Sequence, residues 1–549
     1  MDRPALKARI FVATPLEPAA SAATRISAGD GLMATRLKTK TSGDERVEAL
    51  RDLRATLEWL GDDVHYIDKP VSPILEMTAI TKHLDGSKVL VANTIKGYPH
   101  ARMLSNFYAT KERTAKLFGV EHIKDCKFKI LEAYRNPIPP VEVSEKDAPV
   151  QQVVIQRREF GDPTEILPII KHTARDGGRI FGSGHHLFRG EPWVPGGGSQ
   201  VSMYRMAFRE GKPYASINMV PGGQGDVICT RHKGKKIPCT VNICPPVGVE
   251  LMGVGTLNPV LFSGQTDKLA MAGAIQGSAV RLVKAKTVDA WACADAEYVL
   301  EGYVLEGERT WETDEAEELG KQGVALLHPE WARTMGHAYR TPRSFELTAI
   351  TRRADKPIYY TPHFGAIWYT VVFVCASIYE LCDRMAPGFV QDVSGFTGLT
   401  TWGGNVIQVK KTKRSDEGLQ RNILGAVMGL HRGLRLCIVV DQDINIWEPE
   451  DVWWALESRV TPHKDIVVYN EYGRGQAFQP SEHKIGQISV ADGGIGIDAT
   501  APLGVQVYER AQYPVDQFDF TKWFSQKDID EMRAMQDPYF RWLGKMGYA

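Results

Sequence analysis

The chain has 549 residues, of which 43% are hydrophobic and 24% charged, a size and composition typical of a globular protein with roughly three or four domains of about 150 residues each. Its 66 basic side chains are balanced by 66 acidic ones, so the formal net charge is zero. This balance argues against a strongly basic surface, and hence against a nucleic-acid or membrane partner.

The cysteines and the N-terminus indicate a reducing compartment. Eight cysteines are too few for a disulfide scaffold in so long a chain, and none forms a CxxC pair. Cys239 and Cys244 have no matching second pair, which argues against a zinc knuckle. The N-terminus carries Asp2 and prolines where a signal peptide needs a basic start and an apolar core. We therefore expect a cytoplasmic protein.

The predicted elements begin after an N-terminal arm rich in Ala, Ser, Thr and Gly. VEALRDLRATLEWL repeats Leu and Val at helical spacing, and KVLVAN, from Lys88, is typical of a strand. From Val150 to Ile350, short apolar runs such as QQVVIQ, CTVNIC and VRLVKA alternate with glycine-rich turns. This pattern predicts a β-rich middle domain. Within it, RTWETDEAEELGKQ, from Arg309, is interpreted as an exposed helical insertion.

The C-terminal third alternates between segments with helical periodicity and segments with strand periodicity. ASIYELCDRM, NVIQVKK, LQRNILGAVMGLHRG, LRLCIVVDQDI and DVWWALESRV predict an α/β domain with helix-covered strands. Tyr359 to Tyr379 lacks Asp, Glu, Lys and Arg over about 20 residues, the length of a membrane span. Because Pro362 and His363 interrupt it, we predict a strand end followed by a buried helix instead. The tail, DIDEMRAMQDPYFRWLGKMGY, is predicted to be a helix that docks on a neighbour.

These patterns divide the chain into five predicted segments. We place them at 1–44 for a flexible arm, 45–122 for an N-terminal α/β segment, 123–353 for the β-rich domain, 354–525 for the C-terminal α/β domain and 526–549 for a C-terminal helix.

Most short catalytic motifs are absent: the chain has no GxxxxGK[ST], no GxGxxG opening a helix, no GxSxG and no HExxH. Two glycine-rich loops remain, WVPGGGSQVSMYR from Trp193 and NMVPGGQGD from Asn218. Glycines let a backbone approach a ligand, and the arginine that follows the first loop could hold a carboxylate or phosphate with two hydrogen bonds. Simple hairpin turns are the alternative interpretation.

Several long segments resemble the UbiD-like decarboxylases. In the N-terminal part these are LRATLEWL, VHYIDKPVSPILEMTAI and ANTIKGYPHARMLSNFYATKERTAKLFGV; further along they are APVQQVVIQRREFGDPTEILPIIKHTARDGGRI, VRLVKAKTVDAWACADAEYVLEGYV, CIVVDQDINIWEPEDVWWALESRVTP and IGIDATAP. The resemblance runs from about Glu45 to the C-terminus. It implies an α/β (α+β) fold with an N-terminal α/β segment, a split β-barrel domain that binds prenylated FMN (prFMN) and a C-terminal α/β oligomerisation domain.

The resemblance also implies an activity and partners. The activity is reversible, non-oxidative decarboxylation of an aromatic or α,β-unsaturated carboxylic acid, as a free acid or a coenzyme A thioester. The implied partners are that acid, carbon dioxide and a flavin prenyltransferase as cofactor source, in a homodimer or homohexamer. Two alternatives stay open: a non-catalytic or accessory UbiD-like subunit, and a prFMN enzyme with a different reaction.

Cofactor residues follow from the resemblance position by position. The family's cofactor strand, Asn-x-Ser/Gly-x-x-Arg, corresponds here to Gln200 through Arg205, so Ser202 and Arg205 match and Gln200 replaces the asparagine. Gln224 corresponds to a glutamine beside the flavin, and His431 to part of a basic pair that reaches the phosphate. The complete implied set is Gln200, Ser202, Met203, Tyr204, Arg205, Gln224, Lys268, His431 and Arg432.

All three metal positions of the family differ in this chain. Gln200 replaces an asparagine, Gly223 or Gly225 replaces a histidine, and Lys268 replaces a glutamate. The Mn²⁺ and K⁺ usual in the family are therefore not expected to bind tightly. Two interpretations of Lys268 remain: its positive charge neutralises the flavin phosphate, or the loop has shifted and the side chain faces solvent.

The family's acid/base network is a Glu-Arg-Glu set whose glutamates lie in a Pro-Glu-x-x-x-x-Glu segment. HPEWARTMG places Glu330 at the first glutamate and Met335 at the second, and a thioether cannot deliver a proton. The implied catalytic residues are Arg205, which would hold the substrate carboxylate, and Glu330, the acid/base; a surface glutamate is the alternative for Glu330. We interpret Glu297 and Glu301 as structural.

Two further groups are interpreted without a functional role. His185 and His186 could supply a ligand or an acid, since histidine titrates near neutral pH. A partly exposed strand pair is the preferred interpretation. The basic loop from Thr230 to Lys236 could attract the phosphates of a coenzyme A thioester, but we interpret it as a solvated hairpin tip.

Overall fold

The structure is a computed structural model. It describes residues 43–212, 214–219, 223–255, 266–324, 327–329, 335–337, 340–360, 368–395, 404–430, 434–470, 493–511 and 513–536. The predicted arm at 1–44 lies almost entirely outside these ranges.

The N-terminal part combines short helices with a small mixed sheet. Its helices are α1 (Gly43–Leu50), α2 (Leu53–Leu60), α3 (Glu76–His83), α4 (Lys111–Phe118) and α5 (Cys126–Arg135), and its strands are β1 (Val64–Ile67), β2 (Val89–Ala92) and β3 (Arg102–Ser105). In α2, Asp52 caps the first turn by accepting hydrogen bonds from two backbone N–H groups, while the leucines at helical spacing are buried. Strand β2 lies between β1 and β3 in the sheet, and its four apolar residues are all buried.

The middle part holds the barrel. Its strands are β4 (Val141–Glu142), β5 (Val153–Gln156), β6 (Phe181–Arg189), β7 (Ser199–Ala207), β8 (Ala215–Asn218), β9 (Lys236–Ile243), β10 (Arg281–Lys284), β11 (Trp291–Cys293), β12 (Tyr298–Trp311), β13 (Leu327–Pro329), β14 (Met335–His337) and β15 (Arg340–Arg352). Its helices are α6 (Gln224–Arg231), α7 (Val247–Val254), α8 (Lys268–Gln276) and α9 (Asp314–Lys321).

Six of these strands close into a barrel in the order β12-β9-β6-β7-β8-β15, and β12 pairs with β15 to complete it. All six pairings are antiparallel. Strand β5 extends the sheet from β15, and helices α7 and α8 pack against β7 from outside. The predicted β-rich middle domain is therefore confirmed as a closed barrel.

The C-terminal part alternates helices and strands as predicted. Its elements are β16 (Ile358–Tyr360), α10 (Trp368–Met385), β17 (Val390–Gly395), β18 (Gly404–Val409), α11 (Leu419–Leu430), β19 (Leu436–Asp441), α12 (Pro449–Arg459), α13 (Pro462–Asp465), β20 (Ile466–Tyr469), β21 (Gly494–Ala499) and α14 (Gln526–Met535). The sheet has the order β17-β18-β19-β21-β20, with parallel pairing between β18, β19 and β21.

Strand β16 and helix α10 confirm the predicted strand end followed by a buried helix. Strand β16 pairs with β3, so a segment inside the predicted C-terminal domain completes the N-terminal sheet in the order β1-β2-β3-β16. The predicted domain boundaries stay predictions. No helix in the described ranges combines the length and the apolar character needed to cross a membrane. Helix α14 lies exposed on this chain, so its docking on a neighbour also stays a prediction.

Glu297 joins the N-terminal part to the barrel. Its carboxylate, 0% exposed, accepts hydrogen bonds from Arg54 Nε at 2.9 Å and Nη2 at 2.8 Å and from the backbone N–H of Ile358 at 2.9 Å. Arg353 Nε lies 3.4 Å away. The Glu301 carboxylate is similarly engaged by the backbone N–H groups of Lys286 and Thr287. These contacts agree with the interpretation that both glutamates are structural.

Glu297→Gln is expected to destabilise the fold without changing catalysis. An amide leaves the Arg54 and Arg353 guanidinium groups without their shared countercharge, and breaking a buried ion pair costs about 3–5 kcal/mol. We expect a lower Tm and an unchanged rate per folded molecule. The exposed Glu308→Gln is the matched control and should leave Tm unchanged. A rate loss at full folding would instead place Glu297 in the catalytic machinery.

Candidate active site on barrel strand β7

Strand β7 carries most of the implied cofactor residues, and its two faces have different surroundings. Side chains alternate across a strand. The His186 ring of β6 lies 5.1 Å from the Tyr204 ring and 6.5 Å from the Phe345 ring, measured between centroids. Because β6 and β15 are not neighbours, this contact crosses the barrel interior. Met203 and Arg205 therefore lie on the outer face.

Arg205 forms a buried ion pair with Glu312. The guanidinium is 7% exposed and the carboxylate 0%. Nε donates to Oε1 at 2.8 Å and Nη2 donates to Oε2 at 3.0 Å. Such a paired contact fixes both the position and the orientation of the carboxylate. Among the described residues, the carboxylate that pairs with Arg205 is therefore that of Glu312.

Glu312 was missed because its segment was interpreted as an exposed helical insertion. That interpretation holds from Asp314, where α9 begins, and is wrong for the residues before it. Strand β12 pairs with β15 as far as Trp311, with a register shift between Glu306 and Thr310, and this extension carries Glu312 to the end of the barrel beside Arg205. A sequence signal for Glu312 exists, because Glu312 and Glu317 have the Glu-x-x-x-x-Glu spacing of the family's acid/base segment.

Glu317 occupies a different environment from Glu312. It pairs with Arg209, which follows the end of β7 four residues after Arg205, and with Lys321 Nζ at 2.9 Å. Hydrogen bonds from Lys321 and then Arg209 lower the pKa of Glu317 to about 2. Glu317 is thus held as an anion near the surface, whereas Glu312 is enclosed.

A buried histidine–aspartate pair lies near Arg205. His172 Nδ1 lies 3.5 Å from Asp176 Oδ2, and both side chains are buried. Burial lowers the pKa of His172 and the nearby Arg205 lowers it further, while Asp176 opposes both. A Cβ atom on Gly178 would lie 3.2 Å from Thr313 Cγ2, so this loop packs beside Glu312. Four ionisable groups thus converge at one end of the barrel.

His185 and His186 are both buried, so the interpretation as a partly exposed pair is wrong. His186 lies in the barrel interior, and helix α7 covers His185. His185 Nδ1 lies 3.8 Å from Glu250 Oε2, and a Cβ atom on Gly253 would stand 2.1 Å from the His185 ring. Burial raises the pKa of Glu250 to about 8.

Two of the residues implied to bind the cofactor, Gln200 and Lys268, lie where β7 meets α8. Lys268 is 8% exposed, and its Nζ donates to the carbonyl oxygens of Val201 at 3.0 Å and Gly255 at 3.4 Å. The interpretation in which Lys268 faces solvent is therefore wrong. Gln200 Nε2 donates to Thr266 O at 3.2 Å, and Gln200 Oε1 has no hydrogen-bond partner among the described residues.

The other implied residues are placed as follows. Ser202 and Met203 are half-buried on β7, and Gln224 is half-buried in the first turn of α6. The Tyr204 hydroxyl accepts a hydrogen bond from Gly225 N at 3.2 Å, and burial raises the pKa of Tyr204 to about 12. Glu330, His431 and Arg432 lie outside the described residues, so their roles stay predictions. The basic loop from Thr230 is a helix-to-strand turn between α6 and β9 and not a hairpin tip.

The positions that the resemblance assigns to a metal are Gln200, Gly223 or Gly225, and Lys268, and these residues are poor ligands for a divalent cation. A Cβ atom on Gly225 would lie 2.4 Å from the Tyr204 hydroxyl oxygen, so no larger side chain fits at this position without displacing that ring. Lys268 adds a positive charge where a carboxylate would be needed. Across the ranges that the structure describes, no group of three or more His, Cys, Asp or Glu could hold a metal ion.

Comparison with known families identifies the chain. Residues 60–129, 141–366 and 368–499 match, respectively, the N-terminal, Rift-related and C-terminal domains of 3-octaprenyl-4-hydroxybenzoate carboxy-lyase, UbiD. The closed barrel lies within the residues that match the Rift-related domain, so the fold is that of this class of carboxy-lyase. The chain belongs to the UbiD family of decarboxylases.

Individual relatives agree with this assignment. Gallate decarboxylase from Lactiplantibacillus plantarum is 28% identical over 497 residues, which cover 84% of this chain and 96% of the relative. The apo 3,4-dihydroxybenzoic acid decarboxylase from Enterobacter cloacae is 25% identical with a TM-score of 0.73, covering 87% and 99% of the two chains. An evolved dimeric form of the UbiD-class enzyme HmfF from Pelotomaculum thermopropionicum, in complex with prFMN, is 25% identical with a TM-score of 0.71, covering 86% and 100%.

Proposed function

We propose that this chain uses prFMN to decarboxylate an aromatic or α,β-unsaturated carboxylic acid reversibly. The observation that carries the proposal is the buried Arg205–Glu312 pair on the outer face of β7. It supplies an anion-binding group and a proton-transfer group at one place, as decarboxylation requires. Relatives named for gallate and 3,4-dihydroxybenzoic acid favour a phenolic acid as substrate over a simple acrylate.

The residues present fit a flavin nucleotide. The buried Lys268 ammonium matches a phosphate, and the unpartnered Gln200 Oε1 matches a hydroxyl donor of a ribityl chain. Met203, on the same outer face as Arg205, is only half-buried. A solved relative carries prFMN, and a flavin prenyltransferase would supply it here.

The chain's own residues would then divide the chemistry. When bound, prFMN supplies the electron sink that amino-acid side chains lack. Arg205 would hold and orient the substrate carboxylate, so that carbon dioxide leaves as the carbon–carbon bond breaks. Glu312, in its protonated form, would deliver its proton to the carbon that has lost carbon dioxide, and would regain a proton from solvent once the product has left. Burial of both side chains keeps bulk water away from this exchange.

Self-association is part of the proposal. The C-terminal part exposes large apolar side chains, among them Val507 at 87%, Trp523 at 61% and Met535 at 85%. Exposed apolar surface of this kind marks interfaces in many proteins. We propose that these side chains help to form a homodimer or homohexamer and that the protein acts in the cytoplasm.

The direct test uses protein purified from cells that produce prFMN. We expect near-stoichiometric flavin by mass spectrometry, and carbon dioxide release from at least one member of a panel containing gallate, 3,4-dihydroxybenzoate, vanillate and cinnamate. Incorporation of labelled carbon dioxide into the corresponding product would report reversibility. Protein without flavin under these conditions would support the accessory-subunit alternative, and flavin without carbon dioxide release would support a different reaction.

A further inference from the structure

Lys268 is a buried cation without an anion in the described part of the chain. Its side chain is almost fully buried, and both acceptors of Nζ among the described residues are neutral backbone carbonyls, Val201 O and Gly255 O. Removing an ammonium group from water is expensive unless a countercharge and full hydrogen bonding replace the solvent. Burial lowers the pKa of Lys268 to about 8, which reflects this missing compensation.

The position of Lys268 on its helix increases the need for an anion. It is the first residue of α8, and the N-terminus of a helix carries a partial positive charge. The neighbouring carboxylate, Asp267, is already engaged: its Oδ1 accepts from Leu269 N and Ala270 N, and its Oδ2 lies 3.3 Å from Arg189 Nη1. Asp267 therefore caps the helix and does not neutralise Lys268.

Two polar groups are left for a ligand at this place. An ammonium group has three N–H donors, and two of those on Lys268 are used within the described residues. Gln200 Oε1, on the strand residue before Val201, is buried and has no partner within the same residues. A donor and an acceptor on adjoining elements match a phosphate ester and a hydroxyl group, respectively.

We propose that Lys268 is a built-in counterion for the phosphate of the flavin nucleotide, so that this chain binds the nucleotide without a divalent metal. The inference rests on the proposed function for the existence of a flavin site. Gln200 Oε1 accepts a hydrogen bond from a ribityl hydroxyl beside the phosphate. The substituted metal positions are a consequence of this arrangement, because an ammonium at Lys268 repels a divalent cation.

The test compares two flavins that differ only in the phosphate. FMN and riboflavin are titrated into the flavin-free full-length protein, with quenching of flavin fluorescence as the readout. We expect wild-type protein to bind FMN more tightly than riboflavin, with the same Kd in EDTA and in Mn²⁺. Lys268→Met should raise the Kd for FMN by about tenfold or more, since a charge-assisted hydrogen bond is lost, and leave that for riboflavin unchanged.

Controls separate this inference from the proposed function. Lys284→Met removes an exposed lysine of β10 and should bind both flavins like wild type, and Lys268→Arg should retain the preference for FMN. A Kd for FMN that improves with Mn²⁺, or an unchanged Kd in folded Lys268→Met, overturns the role of Lys268 and leaves the proposed function standing. Wild-type protein that binds neither flavin overturns both.

Discussion

Glu312→Gln is expected to lower turnover by about a hundredfold or more while flavin stays bound, the loss usual for a positioned proton donor. The glutamine side chain has the same shape and can still accept a hydrogen bond from Arg205, so the 2.8 Å contact to Nε should survive in weaker form. What the amide cannot do is take and deliver a proton. The measurement is decarboxylation together with solvent-deuterium exchange, with flavin occupancy and Tm recorded for each variant.

Two variants make this prediction specific. Glu330→Gln tests the glutamate implied by the family alignment, and only one of the two substitutions should abolish proton exchange if a single carboxylate serves. Arg205→Ala should lose at least as much activity as Glu312→Gln, and the double variant should lose little more, because both residues act in one unit. If Glu312→Gln with a full complement of flavin exchanges solvent deuterium as fast as wild type, the assignment is contradicted and Glu330 becomes the preferred proton donor.

Glu250→Gln is expected to stabilise the protein at alkaline pH. Burial raises the pKa of this carboxyl from 4.5 to about 8, so the folded protein keeps its proton while the unfolded chain loses it. The resulting stability is fully present below pH 4.5 and is lost progressively as the pH rises to about 8, at about 1.4 kcal/mol for each pH unit. The amide does not titrate, so the variant should escape this loss.

The measurement is Tm between pH 5 and 9 for wild type and variant. We expect the two to converge near pH 5 and the variant to exceed wild type by several degrees at pH 9. Glu308→Gln, on an exposed side chain, should follow wild type throughout. Parallel curves for Glu250→Gln and wild type would show that the folded protein does not hold a proton on Glu250 over this pH range.

The fold was more predictable from the sequence than the site. Alternating periodicities are local properties, and they predicted the barrel region, the α/β region and the buried helix α10. The Arg205–Glu312 contact joins residues 107 positions apart, and it depends on how far β12 extends before α9 begins. A charged segment such as RTWETDEAEE resembles an exposed helix because composition does not show where strand pairing stops. The sequence leaves the burial of Lys268 open for a similar reason, since the packing of α8 against β7 decides it.

The contact between Tyr204 and Gly225 also constrains how this protein can change over evolutionary time. The tyrosine hydroxyl occupies the space that any side chain at residue 225 would enter, with 2.4 Å left for a Cβ atom. A histidine at residue 225 would therefore need a smaller residue at 204 as well, and a metal site at this place would also need removal of the Lys268 charge. Each of these changes taken alone removes a packed or charged contact and adds no complete set of metal ligands. No single substitution therefore converts this place into a metal site.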